Sequence, residues 1–235
     1  TPLEAVVPAG PLTVESSLEG FATARKDYFL DTNLEHRECL DRPGQLLDCQ
    51  WEASGIRSPK AVAFSPDGRE LWATQLNNAP ALRAYDSVNG ELLGQVEFGK
   101  KGAVELVFTP DGRRLYASQM DTATVYEVDP SAREVLRSFR TRSTWTKIVE
   151  LSGDATKVFA SNWIGNDVSE IDLETGERSA RYKTAKTPRG LWAHPDGKRL
   201  YVASFGSGKL ERVDLETGRT TTLYQGGVLR HLEPD

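Results

Sequence analysis

Apolar and polar positions alternate along this chain in short runs, and the runs recur. Leu71-Trp72-Ala73, Leu115-Tyr116-Ala117, Val158-Phe159-Ala160 and Leu200-Tyr201-Val202 each carry a central aromatic. Each follows a turn phrase: Ser65-Pro66-Asp67-Gly68, Thr109-Pro110-Asp111-Gly112, Ser152-Gly153-Asp154-Ala155 or His194-Pro195-Asp196-Gly197. Each precedes another short run that closes on Asp86, Asp129, Asp172 or Asp214. Short alternating runs bounded by Gly, Pro and Asp predict β-strands, and no segment carries a clear helical period. The aromatics lie 44, 43 and 42 residues apart, and the closing Asp residues 43, 43 and 42. That period, with several short strands in each unit, predicts an all-β chain folded as a β-propeller, one four-stranded blade per repeat.

Strand order within a blade follows from the turns. Residues 61–64 form the innermost strand, 71–74 the second, 82–86 the third and 91–97 the outermost. The Pro-Asp-Gly phrases join strands one and two: Pro presets φ, Asp binds local amides and Gly accepts positive φ. Asn89-Gly90 and Thr217-Gly218 join strands three and four in the same way. A turn role explains the spacing of these Asp residues, so they predict no metal site.

A fifth, degenerate copy lies upstream. Tyr28 and Asp41 are 13 residues apart, as are Tyr201 and Asp214, and Asp41-Arg42-Pro43-Gly44 supplies the turn. Blades are expected over about 18–56, 57–100, 101–143, 144–186 and 187–227, with 1–17 an extended, Pro-containing arm. Residues 228–235 (VLRHLEPD) resemble the start of a further blade. Three arrangements account for that ending: blades lying outside this sequence, a partner chain that completes the ring, or a five-bladed ring closed through the degenerate blade.

Phrases such as Ser-Pro-Asp-Gly-Arg-Glu-Leu-Trp-Ala (65–73), Asp-Gly-Lys-Arg-Leu-Tyr-Val-Ala-Ser (196–204) and Val-Asp-Leu-Glu-Thr-Gly (213–218) resemble the YVTN family of β-propeller repeats. The resemblance covers 57–227 strongly and 18–56 weakly. It implies a propeller of six to eight blades, commonly seven, and an extracytoplasmic setting: periplasm, cell surface or medium. It implies no reaction, because propellers host binding modules and enzymes alike.

Composition narrows the partners. The 235 residues carry a net charge of −5, which argues against broad nucleic-acid or membrane-surface binding. No apolar run is long enough for a transmembrane helix. The sequence starts at Thr1 without a signal peptide, as a processed mature form would. Cys39 and Cys49 flank the Asp41–Gly44 turn, where a hairpin pairing would let them bridge. The reading adopted is a disulfide in an oxidising compartment, and two half-buried thiols are the bland alternative.

Aligning the repeats collects one face from scattered positions. At the mouth of the innermost strands one register holds Lys60, Val104, Lys147 and Arg189, with Glu105 beside Val104 and Arg230-His231 entering where a sixth repeat begins. Loops between strands two and three add Gln75, Asn77, Gln119, Met120, Asp121, Asn162, Trp163, Ser204 and Phe205, and Trp145 lies two residues before Lys147. Cations around a funnel focus positive potential, and Trp145, Trp163 and Phe205 are the aromatic anchors expected of a protein-binding face. The plain alternative has the cations solvated or paired with Glu105 and Glu150 and the aromatics packed between blades.

Catalytic signals are weak. His36, His194 and His231 fall at different repeat positions, and there is no nucleophile elbow or phosphate loop. His194 occupies the slot of Ser65 and Thr109, a structural position. The expectation is a non-enzymatic scaffold that binds a protein partner through Lys60, Glu105, Trp145, Lys147, Trp163, Arg189, Phe205 and Arg230, with no cofactor and no metal. A lactone hydrolase built on Glu105, Arg189, Arg230 and His231 is the enzymatic alternative. Single-stranded nucleic acid or another anionic ligand is a third class, against which the net acidity weighs.

Overall fold

A computed structural model describes residues 51, 53, 55–77 and 80–232, and the backbone of 10–16 and 24–30. The chain divides into two compact units, Thr1–Glu52 and Ala53–Asp235. In the first, β1 (Gly10–Ser16) pairs antiparallel with β2 (Ala24–Leu30), Gly10 opposite Leu30. Residues 10–16, within the segment expected as an extended arm, form a paired strand. His36, Cys39, Cys49 and the predicted turn at 41–44 lie outside the described residues.

The second unit is four antiparallel four-stranded meanders in sequence. The first sheet is β3 (Pro59–Phe64), β4 (Glu70–Gln75), β5 (Leu82–Asp86) and β6 (Leu92–Val96). The second is β7 (Leu106–Phe108), β8 (Leu115–Gln119), β9 (Thr124–Asp129) and β10 (Glu134–Arg140). The third is β11 (Thr146–Leu151), β12 (Lys157–Asn162), β13 (Asp167–Asp172) and β14 (Arg178–Lys183). The fourth is β15 (Pro188–Ala193), β16 (Arg199–Ser204), β17 (Lys209–Asp214) and β18 (Thr220–Gln225). First strands of successive sheets touch one another, whereas fourth strands are mostly exposed, so strand one is innermost and strand four outermost. These are propeller blades, each contained within a predicted repeat.

The turns form as their residues dictate. Asp67 Oδ1 accepts from Ser65 Oγ at 2.6 Å and from the Arg69 amide at 3.1 Å, and Gly68 donates to the Ser65 carbonyl at 2.8 Å. Asp111, Asp154 and Asp196 also cap their own turns, and hydrogen bonding holds all four carboxyls below their ordinary range. His194 Nδ1 accepts from the Asp196 amide at 3.1 Å, a turn contact. Among the described residues no three His, Cys, Asp or Glu side chains converge as metal ligands.

The core lies between blades. Trp72, Leu82, Leu106 and Leu115 join the first two sheets; Tyr116, Phe139, Val149 and Ile171 the second and third; Phe159, Leu191, Leu200 and Val213 the third and fourth. Fully burying one such side chain contributes about 1.5–3 kcal/mol. Val62 and Phe64 on β3 stay 63% and 61% exposed, an apolar strip on the inner strand of the first sheet.

Val228–Leu232, expected to open another blade, contains no strand. Its main chain nevertheless runs along the fourth blade's inner strand: a Cβ on Gly190 would lie 3.1 Å from His231 Cα.

Candidate functional site at the channel mouth

Three of the four described blades aim a cation from the same backbone device. Ser58, Trp145 and Thr187 have φ of 52°, 60° and 56°, in the left-handed region. For Trp and for β-branched Thr this is a costly conformation, about 1–3 kcal/mol each. Two residues later come Lys60, Lys147 and Arg189. There the ladder to strand two slips, between Pro59 and Val62, Thr146 and Val149, and Pro188 and Gly190. Each cation therefore sits in a β-bulge, which re-aims a side chain and bends its strand. The remaining blade carries neither feature. It has Gly102 and buried Val104, and a Cβ on Gly102 would fall 1.7 Å from the Gln75 carbonyl oxygen.

Strand-two hydroxyls hold these bulges. Thr74 Oγ1 accepts from the Ala61 amide at 2.8 Å and donates to the Val104 carbonyl of the next blade at 3.1 Å. Ser118 Oγ accepts from the Glu105 amide at 3.1 Å and donates to the Lys147 carbonyl. Ser161 Oγ accepts from the Ile148 amide at 3.1 Å. The Ala61 and Ile148 amides freed by the bulges, and the Glu105 amide of the regular blade, are thereby satisfied, as buried donors must be.

The residue after strand two is pinned beside the left-handed residue. Trp163 donates its amide to the Trp145 carbonyl at 2.8 Å, and Phe205 to that of Thr187 at 2.9 Å. Three rings then form a row: Trp145 to Trp163 at 6.0 Å between centroids, Trp163 to Phe205 at 6.3 Å. The cations lie on it. Lys147 Nζ is 3.2 Å from the Trp163 ring centroid, and the guanidinium carbons of Arg189 and Arg230 are 5.8 and 5.3 Å from that of Phe205. Such contacts stabilise a cation by about 0.5–2 kcal/mol.

Elsewhere cations find carboxylates: Arg133 with Glu70 at 2.8 Å, Lys157 with Glu170 at 2.8 Å, Arg137 with Glu127 at 2.6 Å. Among the described residues Lys60, Lys147, Arg189 and Arg230 form no salt bridge. Partial burial, with Arg189 and Lys60 nearby, pulls the Lys147 ammonium down to about 8. The Trp163 indole N–H is buried and has no acceptor among the described residues.

Below the mouth lies a cavity of about 260 Å³, lined in part by Glu105, Glu150, Trp192 and His231. Burial pushes both carboxyls up to about 7, against the pull of His231 on each and of Arg189 on Glu105; Glu105 further raises Glu150. Glu105 Oε1 accepts from the Leu106 amide and Glu150 Oε1 from that of Ala193, both at 3.3 Å.

The predicted mouth residues are thus gathered, Lys60 beside Lys147 and Glu105 one layer below. Gln75, Gln119, Asn162 and Ser204 are not on the face. They are 2%, 1%, 0% and 0% exposed and anchor neighbouring loops, as when Gln119 Nε2 donates to the Phe98 and Lys101 carbonyls. Glu150 enters the sequence reading only as a possible counter-ion for the mouth cations, not as a site residue. Its repeat equivalents are Ala63, Val107 and Trp192, so no register flagged it.

No protein-family model matches the chain. Over 67 residues, 28% of its length, it is 37% identical to antigen Lp49 of Leptospira interrogans serogroup Icterohaemorrhagiae serovar copenhageni. That stretch is 15% of the antigen. In structure it is similar to a chain of Kuenenia stuttgartiensis hydrazine synthase, with a TM-score of 0.64 and 20% identity. The match covers 79% of this chain and 55% of that one. At that identity the likeness shows a shared propeller-type fold alone.

Proposed function

We propose that this protein is a non-enzymatic, extracytoplasmic β-propeller that binds a protein partner through the channel mouth. One observation carries the reading. Four cations, Lys60, Lys147, Arg189 and Arg230, converge on one face, three of them against an aromatic row, without carboxylate partners among the described residues. Inner strands hold Lys60, Lys147 and Arg189 in place, so little ordering entropy is lost on binding. Arg and Trp are also the side chains that most often dominate binding energy. The YVTN resemblance supports the extracytoplasmic setting. In the test, wild-type protein and a K147E/R189E variant are used as bait on extracts of the source cells, with cross-links mapped to residues. A defined partner cross-linked around the mouth, and lost from a variant of unchanged melting temperature, is expected. Equal recovery by both baits would overturn the reading.

One observation favours a second reading, hydrolysis of a lactone or ester in the channel: Glu105, Glu150 and His231 share a cavity. It predicts turnover in a lactone screen that E105Q or E150Q abolishes.

A further inference from the structure

We infer that the row formed by Lys60, Lys147, Arg189 and Arg230 receives a carboxylate-rich peptide segment, an inference that rests on the protein-binding reading above. Charge complementarity is the first ground. Several half-buried cations of this unit have their own carboxylates, as Arg114 and Arg133 do, while Arg178 donates to main-chain carbonyls. The mouth cations form no salt bridge among the described residues, Arg189 having only an electrostatic pull on Glu105, and Lys147 is half-buried and crowded by like charge. An arriving carboxylate relieves that repulsion and supplies charge-assisted hydrogen bonds.

The aromatic row argues against nucleic acid. Single strands bind by stacking bases on open ring faces. Here the ring faces already hold cations: Lys147 lies on Trp163, while Arg189 and Arg230 lie on Phe205. Trp145 alone is substantially open, at 39% exposure. The rings therefore position charges, and the charges meet the ligand. Val104 adds no charge to the row, whose cations come from four separate stretches of the chain, so an extended chain with spaced carboxylates suits the row better than one compact anion.

The cavity beneath gives the site a pH dependence of one sign. Glu105 faces His231 and Arg189; Glu150 faces His231 and Glu105; Lys147 faces Arg189 and Lys60. Below about pH 7 both carboxyls are largely neutral and Lys147 is charged. Above about pH 8 the carboxylates are ionised and Lys147 has lost its proton. All three changes make the mouth less positive, by about two to three unit charges between mildly acid and mildly alkaline solution. An acidic ligand is held in acid and released in base.

The test is titration of the 235-residue protein with a capped, fluorescent Glu-Gly repeat peptide, at several pH values and fixed ionic strength. A Gln-Gly peptide and oligothymidylate of equal length serve as comparisons. Saturable binding of the Glu-Gly peptide is expected, weakening about tenfold or more from pH 6.5 to 8.5. K147M, R189M and R230Q should each weaken it by about threefold to tenfold, and E105Q/E150Q should flatten the pH profile. Binding no better than the Gln-Gly peptide, tighter binding of oligothymidylate, or a profile that E105Q/E150Q leaves unchanged would overturn the inference. If the peptide fails while partner recovery still depends on Lys147 and Arg189, the ligand chemistry is wrong and the scaffold reading survives.

Discussion

Lys147 lies on the inner strand of its blade and Trp163 directly follows the second, and the ammonium rests 3.2 Å from the indole centroid. The contact exists because the left-handed backbone of Trp145 carries the chain into the bulge at Lys147, while the Trp145 carbonyl anchors the Trp163 amide. With its ammonium pulled down to about 8, Lys147 holds a larger neutral fraction at pH 7.5 than an ordinary lysine. Limited labelling with an amine-acylating reagent should therefore modify Lys147 ahead of exposed lysines such as Lys186 and Lys198. Peptide mapping reads this directly, and uniform labelling would contradict it.

The Glu105 and Glu150 carboxyls oppose folding at neutral pH. Their folded-state pKa is raised from 4.5 to about 7, so the native state binds more protons than the unfolded chain between those values. Stability then falls as pH rises through that window and levels off above it. E105Q and E150Q should each raise stability at pH 8 by about 1–3 kcal/mol and change little at pH 4. Urea titrations at the two pH values measure the difference, and equal gains at both would refute the assignment.

Ser118 is fully buried and serves two backbone groups, the Glu105 amide and the Lys147 carbonyl. S118A leaves both without their partner, at a cost of about 2–4 kcal/mol. The loss should appear as a lower denaturation midpoint. It should also weaken ligand binding at the mouth, because the Lys147 bulge loses its anchor.

One turn carries a built-in comparison. Gly68, Gly112 and Gly197 have φ of 72°, 71° and 68°, whereas the equivalent Ala155 is held at 54°. Alanine in that region is strained where glycine is not. A155G should stabilise the protein by about 0.5–1 kcal/mol, with Ala73, an ordinary strand position, as the opposite control: A73G should destabilise.

Much of this was written in the repeats. The Asp turns, the strand order, the inter-blade aromatics Trp72, Tyr116 and Phe159, and the shared register of Lys60, Lys147 and Arg189 all follow from period and turn chemistry. The bulges did not, since a one-residue slip leaves no mark in an apolar-polar pattern when Thr146 and Pro188 are both buried. Positive φ at Trp145 and Thr187 was hidden for a related reason: neither residue type advertises a left-handed backbone. Gln75 and Asn162 looked like surface loop residues by polarity. Their side chains instead satisfy buried groups, Gln75 Oε1 accepting from the Arg57 amide and Asn162 Nδ2 donating to Asp167. Glu150 stood outside any register, and only the fold brings it to Glu105.

The seam hydroxyls also carry a mechanical consequence. Thr74 and Ser118 each clamp a strand of their own blade and a carbonyl of the next, so a pull on the inner strand of one blade is passed to its neighbour. The equivalent position in the last described blade is Ala203, which has no hydroxyl to transmit the load. Among the described residues Ser161 likewise bonds only within its own blade, so under a pull from its two ends the second unit should part first at the fourth blade, while the first three, joined by Thr74 and Ser118, yield together.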